Sequence, residues 1–205
     1  MRRFSCLQEL AGCITEQLLV LPMGLTGDEW ESIRQQDSDF RVGCMGAATP
    51  LGLGLALALP HRKVIVMDGD GGTLMNLGAL ATLANNPASN LAVIVFDNES
   101  YGSVGNVSTF TKDTTNLADA ARGIGIKNVY EVTSIEGFRS RIMDVIAGTE
   151  LTYTVAKVEP GLQSGIVRGS VDGIERKYKF IRYVERIEEK SILSPPKQKR
   201  KAVTE

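Results

Sequence analysis

Two stretches of this sequence combine oxygen ligands with glycine at positions that a parallel sheet would bring together. The first, Asp68-Gly69-Asp70-Gly71-Gly72-Thr73, follows the apolar run Val64-Ile65-Val66-Met67. The second, Asp97-Asn98, closes an apolar run over residues 91–96. A glycine-rich turn between a strand and a helix suits phosphate, because small residues let backbone N–H groups and a helix N-terminus reach the anion. Asp70 sits in the middle of that turn. Its carboxylate would repel a bare diphosphate strongly at low effective dielectric. A divalent cation between them reverses the sign, since magnesium takes one or two protein carboxylates together with phosphate oxygens at about 2.1 Å. A strand–helix–strand unit takes about thirty residues, so Asp70 and Asn98 fall at the carboxyl edges of neighbouring strands. Such strands lie about 4.8 Å apart, close enough for both side chains to share one ion. Ligands of open α/β sheets bind at that same edge. The expectation is a Mg²⁺–diphosphate site with Asp70 as metal ligand.

Simpler readings are weaker. The glycines alone could make a tight turn, but the paired spacing to Asn98 would then have no purpose. A calcium-loop reading fails because Gly72 and Ala79 occupy ligand positions. Neither Gly52-x-Gly54 nor Gly69-x-Gly71 has the third glycine of a dinucleotide fingerprint.

The elements needed to carry this site are legible in the pattern. Apolar residues at helical spacing (Leu7, Leu10, Ala11, Ile14) predict a helix over 4–17, followed by a buried strand over 18–21. Thr26 or Asp28 could cap a helix through Trp30 and Ile33. Gly43-Cys44-Met45-Gly46 is a second glycine-punctuated loop. Residues 47–59 are apolar all round and contain Gly52 and Gly54, which predicts a buried helix that lets another backbone come close. Residues 99–115 form a polar connection long enough to be functional or mobile. Beyond it come a helix at 117–122, a strand at 129–132, a helix capped by Ser134, a strand at 153–158, a loop at 161–173 and an amphipathic helix over 178–190. Strands alternating with helices imply an α/β three-layer sandwich, with a mainly parallel sheet and helices on both faces. One domain over 1–190 and a disordered basic tail over 191–205, with Lys197-Gln198-Lys199-Arg200-Lys201, account for the whole length.

Composition narrows the chemistry. The chain has 205 residues and a formal net charge of −1, so nothing points to nucleic acid. The single histidine, His61, argues against a Ser-His-Asp hydrolase or a multi-histidine zinc site; it precedes a strand and belongs to the amino edge, at the surface. Cys6, Cys13 and Cys44 lack metal or disulfide spacing, which favours a reducing cytoplasm. Leu10-Ala11-Gly12-Cys13 is like a lipoprotein cleavage box, but Ser5, Gln8 and Glu9 interrupt the apolar core that export requires. No segment is long and apolar enough for a membrane span.

Gly69-Asp70-Gly71, followed at this distance by Asp97-Asn98, resembles the diphosphate-binding signature of thiamine diphosphate enzymes. The resemblance extends to Gly43-Cys44-Met45-Gly46, to residues 51–102 and to Lys157-Val158-Glu159-Pro160-Gly161. Within the family it is greatest toward sulfopyruvate and phosphonopyruvate decarboxylases. It implies thiamine diphosphate and Mg²⁺ as cofactors, with Asp70, the Asn98 amide and the main-chain oxygen of Ser100 as metal ligands. Gly69, Gly71, Gly72 and Thr73 would approach the diphosphate. Met45 would be the apolar wedge that bends the cofactor, and the Gly43 carbonyl would accept a hydrogen bond from its amino group. Cys44 and Gly46 would act through the backbone, and Tyr101 would shape the loop over the site.

The family also activates its cofactor with a glutamate on a second domain of similar fold, for which this chain has no room. Glu99 lies on the metal side and cannot serve both ends. The resemblance therefore implies that no activating residue belongs to this chain. A partner subunit would supply the pyrimidine-binding domain and the glutamate, giving a hetero-oligomer such as α2β2. The expected activity is decarboxylation of a small 2-oxo acid, sulfopyruvate- or phosphonopyruvate-like. A split carboligase of the acetolactate synthase type, or a non-catalytic assembly subunit, is the alternative. Arg168 and Lys112 are candidates for contact with the substrate's anionic group.

Overall fold

The computed structural model describes residues 1–166 and 172–193. A six-stranded parallel sheet forms its centre, in the order β2-β1-β3-β4-β8-β7. These strands are β1 (Leu18–Leu21), β2 (Asp39–Arg41), β3 (Val64–Gly69), β4 (Leu91–Asp97), β7 (Val129–Val132) and β8 (Thr152–Lys157). The central strands are apolar at nearly every position because both faces are covered, as parallel sheets require. One face turns Leu18, Val20, Val64, Val66, Val93 and Val95 into a core closed by α3 (Ala48–Ala58), α5 (Ala79–Asn85), α6 (Leu117–Ile124) and α8 (Gly173–Glu188). The other turns Leu19, Leu21, Ile65, Met67, Ile94 and Phe96 onto α1 (Arg3–Ala11), α2 (Leu25–Ile33) and α7 (Ile135–Ala147). The expected three-layer α/β architecture is therefore present.

Strand order sets where a ligand can enter. From β1 the chain first moves outward to β2 and then returns to the other side of β1 as β3. The loops leaving β1 and β3 thus diverge at the carboxyl edge and open a crevice between them. Register places Gly69 opposite Phe96, so the turn after β3 and the Asp97-Asn98 corner after β4 lie side by side.

Several elements differ from expectation. The first helix ends at Ala11, because Gly12 and the following turn close it before Ile14. Helix α2 is entered through Gly24 at φ 99°, with no side-chain cap. Asp28 instead pairs with Arg41 at 2.7 Å, and Thr26 is simply buried. The helix after β3 is broken at Asn76 into the short α4 (Asp70–Met75) and α5. The two glycines of α3 have different surroundings. A Cβ on Gly52 would sit 2.0 Å from Val66 Cγ2, whereas one on Gly54 would meet nothing within 4 Å. Only Gly52 serves close packing on the sheet; α3 leaves Leu51 and Leu57 exposed rather than buried all round.

Residues 99–115 contain a small hairpin of β5 (Ser100–Tyr101) and β6 (Val107–Ser108), followed by a 3₁₀ turn over Phe110–Lys112. Helix α8 begins at Gly173, earlier than its periodicity suggested, with the Asp172 carboxylate accepting from Ile174 N–H. His61 is exposed and pairs with Glu188 at the amino edge, away from the crevice. The backbone N–H groups of Ile192 and Leu193 donate to Glu185. Arg168 and the basic tail from residue 194 lie outside the described residues.

Candidate active site

The crevice is a cavity of about 620 Å³. Its walls include the ends of four adjacent strands, with Pro22 to Leu25 after β1, Arg41 to Gly46 after β2, Gly69 to Gly72 after β3, and Asn98 and Ser100 to Val104 after β4, and the start of α8 at Gly173, Arg176 and Lys177. Gly43, Cys44, Met45, Gly46, Gly69, Asp70, Gly71, Gly72, Asn98, Ser100 and Tyr101 all line it. Thr73 belongs to the same turn but is absent from the lining. Its hydroxyl is buried beside Tyr153, whose own pKa is raised by burial.

At the floor, three oxygens crowd together. The Asn98 side-chain oxygen lies 3.1 Å from Asp70 Oδ1 and 2.9 Å from the main-chain oxygen of Ser100. Its only donor among the described residues is a long contact of 3.4 Å from Ser100 N–H. Acceptors this close need either an amide turned over, so that its NH₂ donates to both oxygens, or a cation shared by all three. Adjacent ligands about 2.1 Å from an octahedral Mg²⁺ stand about 3.0 Å apart, which matches both separations. Glu99, between Asn98 and Ser100, adopts φ 57°, rare for a residue with a β-carbon, in the bend where the Ser100 carbonyl oxygen meets the Asn98 amide. The donor set, one carboxylate oxygen, one amide oxygen and one carbonyl, is the hard-oxygen chemistry of magnesium.

Electrostatics at the floor also favour a cation. Burial first, and then the nearby Asp97 charge, push the Asp70 carboxyl above the usual carboxylate range, against hydrogen bonds from Thr109 and Thr111. Burial pushes Asp68 up to about 7, although it accepts from Gly69 N–H at 2.9 Å and the Thr49 hydroxyl at 3.3 Å. Asp97 is fully buried and paired with Lys157 Nζ at 2.7 Å. Asp70 thus lies within electrostatic reach of both Asp68 and Asp97, while Lys157 is paired with Asp97, and a divalent ion would relieve the repulsion among the three carboxylates.

The glycines let neighbouring groups pack directly against the turn. A Cβ on Gly71 would fall 2.4 Å from the Tyr101 ring, and one on Gly72 would fall 2.4 Å from Asp68 Oδ1. Met45 is 40% exposed, so it is a cavity residue rather than a core methionine; its Cε stands 3.3 Å from the position of a Gly71 Cβ. The loop carrying it is fixed by Asn76, whose amide donates to the Gly46 carbonyl at 2.9 Å. Gly46 has φ 77°, and a side chain there would collide with Asn76. Glu99 reaches Lys157 at 3.5 Å, away from this cavity.

Sequence reasoning missed the residues behind the floor. Thr109 and Thr111 come back from the long connection and hydrogen-bond Asp70 and Asp97. The alternating Thr109-x-Thr111 pattern, in a connection too long for a simple link, was the one available signal. Asp68, Asp97 and Lys157 were visible only as parts of longer motifs.

Such a site, at the carboxyl edge of a parallel sheet, belongs to a recognisable class of proteins. Residues 30–155 match the family described as thiamine pyrophosphate enzyme, C-terminal TPP binding domain, and the chain is a member of that family. It is 30% identical over 187 residues to the sulfopyruvate decarboxylase subunit beta of Methanocaldococcus jannaschii, covering 90% of this chain and 98% of that one. It is 32% identical over 184 residues to the phosphonopyruvate decarboxylase of Streptomyces viridochromogenes, covering 89% of this chain but 46% of that longer protein. The benzoylformate decarboxylase of Polynucleobacter necessarius shares the fold, with a TM-score of 0.65 over 80% of this chain and 34% of its own, at 17% identity.

Proposed function

We propose that this chain is the diphosphate-binding subunit of a two-chain, thiamine diphosphate-dependent decarboxylase. Its substrate is a small 2-oxo acid carrying a second anionic group, of the sulfopyruvate or phosphonopyruvate kind. The observation that carries the reading is the Asn98 side-chain oxygen standing 3.1 Å from Asp70 Oδ1 and 2.9 Å from the Ser100 carbonyl oxygen, both octahedral-edge separations. These three would hold Mg²⁺, which in turn neutralises the cofactor's diphosphate. Gly69, Gly71 and Gly72 admit the diphosphate without steric conflict, and Thr73 contributes through the backbone of the same turn. Met45 would offer the cofactor an apolar surface, the Gly43 carbonyl would be an acceptor for its amino group, and Tyr101 stands over the Gly71 side. When bound, the thiazolium ring supplies an electron sink for the pair released with CO₂.

The partner supplies what this chain lacks. A relative of nearly equal length is itself named as a subunit, and the phosphonopyruvate decarboxylase is about twice as long for the same matched region. Both facts favour a second polypeptide with the pyrimidine-binding domain and the activating glutamate, in a cytoplasmic hetero-oligomer such as α2β2. The test is CO₂ release from pyruvate, sulfopyruvate, phosphonopyruvate and larger 2-oxo acids, using this chain with and without its partner. The expected result is turnover only in the mixture and only with Mg²⁺ and thiamine diphosphate. Full-rate turnover by this chain alone would overturn the two-chain assignment, and a ketol product in place of an aldehyde would make the enzyme a carboligase.

A further inference from the structure

The connection over residues 99–115 is built inside out. Val104, Val107 and Phe110 are 62–74% exposed, whereas the two threonines flanking Phe110 are 2% and 5% exposed. A loop free to choose would hydrate its hydroxyls and hide its phenyl ring. Here the hydroxyls are committed to carboxylates instead. Thr109 Oγ1 donates to Asp70 Oδ2 at 2.6 Å. Thr111 Oγ1 lies 2.7 Å from Asp97 Oδ1 and 3.3 Å from Asp70 Oδ2. The two hydroxyls stand 2.8 Å apart. Each hydroxyl has a single proton. The shortest contacts give one to Asp70 and one to Asp97, so each member of a mutually repelling carboxylate pair receives one donor. Lys157 holds the other oxygen of Asp97.

Resting on the function proposed above, we propose that Thr109 and Thr111 are positioning residues for the metal. Thr109, with Thr111 beside it at 2.8 Å, donates to Oδ2 and leaves Asp70 Oδ1 as the oxygen to offer, at the apex shared with Asn98 and Ser100. A carboxylate held to one oxygen suits the small octahedral shell of Mg²⁺, while a carboxylate free to rotate can bind through both oxygens, which larger Ca²⁺ accepts readily. The hydroxyl pair therefore sets both affinity and selectivity at a site it does not touch.

The test compares Thr109→Val, Thr111→Val and Thr109→Ser in the full chain assembled with its partner subunit. Isothermal titration measures the Mg²⁺ and Ca²⁺ concentrations that half-saturate thiamine diphosphate binding, and thermal melts of the cofactor-free proteins check folding. Thr109→Val is expected to raise the half-saturating Mg²⁺ by about 10-fold or more while moving Ca²⁺ less. Thr109→Ser, which keeps the hydroxyl, is expected to stay near wild type. If Thr109→Val melts before it can be titrated, the smaller loss of selectivity expected in Thr111→Val decides the matter. Wild-type Mg²⁺ dependence in both valine variants, or equal losses for both metals, would overturn the inference alone. A wild-type complex that binds no thiamine diphosphate would overturn the function on which it rests.

Discussion

At the residue scale the account depends on which oxygens and thiols meet solvent or ligand. Asp70 and Asn98 were legible from spacing, because one strand–helix–strand unit fixes where its ends fall on the sheet edge. Thr109, Thr111 and the Asp97–Lys157 pair were not, since their roles arise only when a distant loop folds back onto that edge. The cysteines give a direct check on the cavity. Cys6 is fully buried and burial pushes its thiol up to about 12, so it is inert as a nucleophile. Cys13 and Cys44 are exposed, and Cys44 lines the cavity. A thiol reagent at neutral pH is expected to label Cys13 and Cys44 in the folded chain and Cys6 only after denaturation. Mg²⁺ with thiamine diphosphate should slow labelling of Cys44 and leave Cys13 unchanged. Equal protection of both, or of neither, would place the cofactor elsewhere.

At the element scale, alternating strands and helices were legible because a parallel sheet covered on both faces needs near-continuous apolar strands. Helix ends were less so: the 3.6-residue periodicity of the first helix runs on past Gly12, while the backbone turns there. Nor could periodicity tell Gly52 from Gly54, since both sit in an apolar helix and differ only in what stands opposite. Their substitutions should have opposite signs. Gly52→Ala drives a methyl into Val66 and is expected to cost about 1–3 kcal/mol by overpacking. Gly54→Ala enters open space and is expected to stabilise by about 0.5–1 kcal/mol, through helix propensity and a less flexible unfolded chain. Urea unfolding of the two variants decides it; a matching sign would mean that α3 does not pack on β3 through Gly52. The 99–115 connection shows a further limit of sequence reading: its length marked it as functional or mobile, but only its burial shows which side chains turn inward.

At the scale of the whole molecule, the proposed function makes this sheet one half of a shared active site. The switch in strand order opens the crevice, two glycine loops line it, and the corner after β4 brings the oxygens together. Proton transfer to the cofactor is assigned to another polypeptide, so the division of labour should be separable by mutation. A variant of the partner lacking its activating glutamate, assembled with wild-type chain, is expected to bind cofactor and fail in turnover. Changing Asp70 or Asn98, the ligands proposed for Mg²⁺, should instead abolish binding itself.

The measurement that bears most directly on the central claim is therefore titration of thiamine diphosphate into the assembled complex, with and without Mg²⁺, for wild type and Asp70→Ala. Saturable, Mg²⁺-dependent binding is expected in the wild type and loss of it in Asp70→Ala, with an unchanged melting temperature for the cofactor-free fold. Equal binding by both proteins would contradict it.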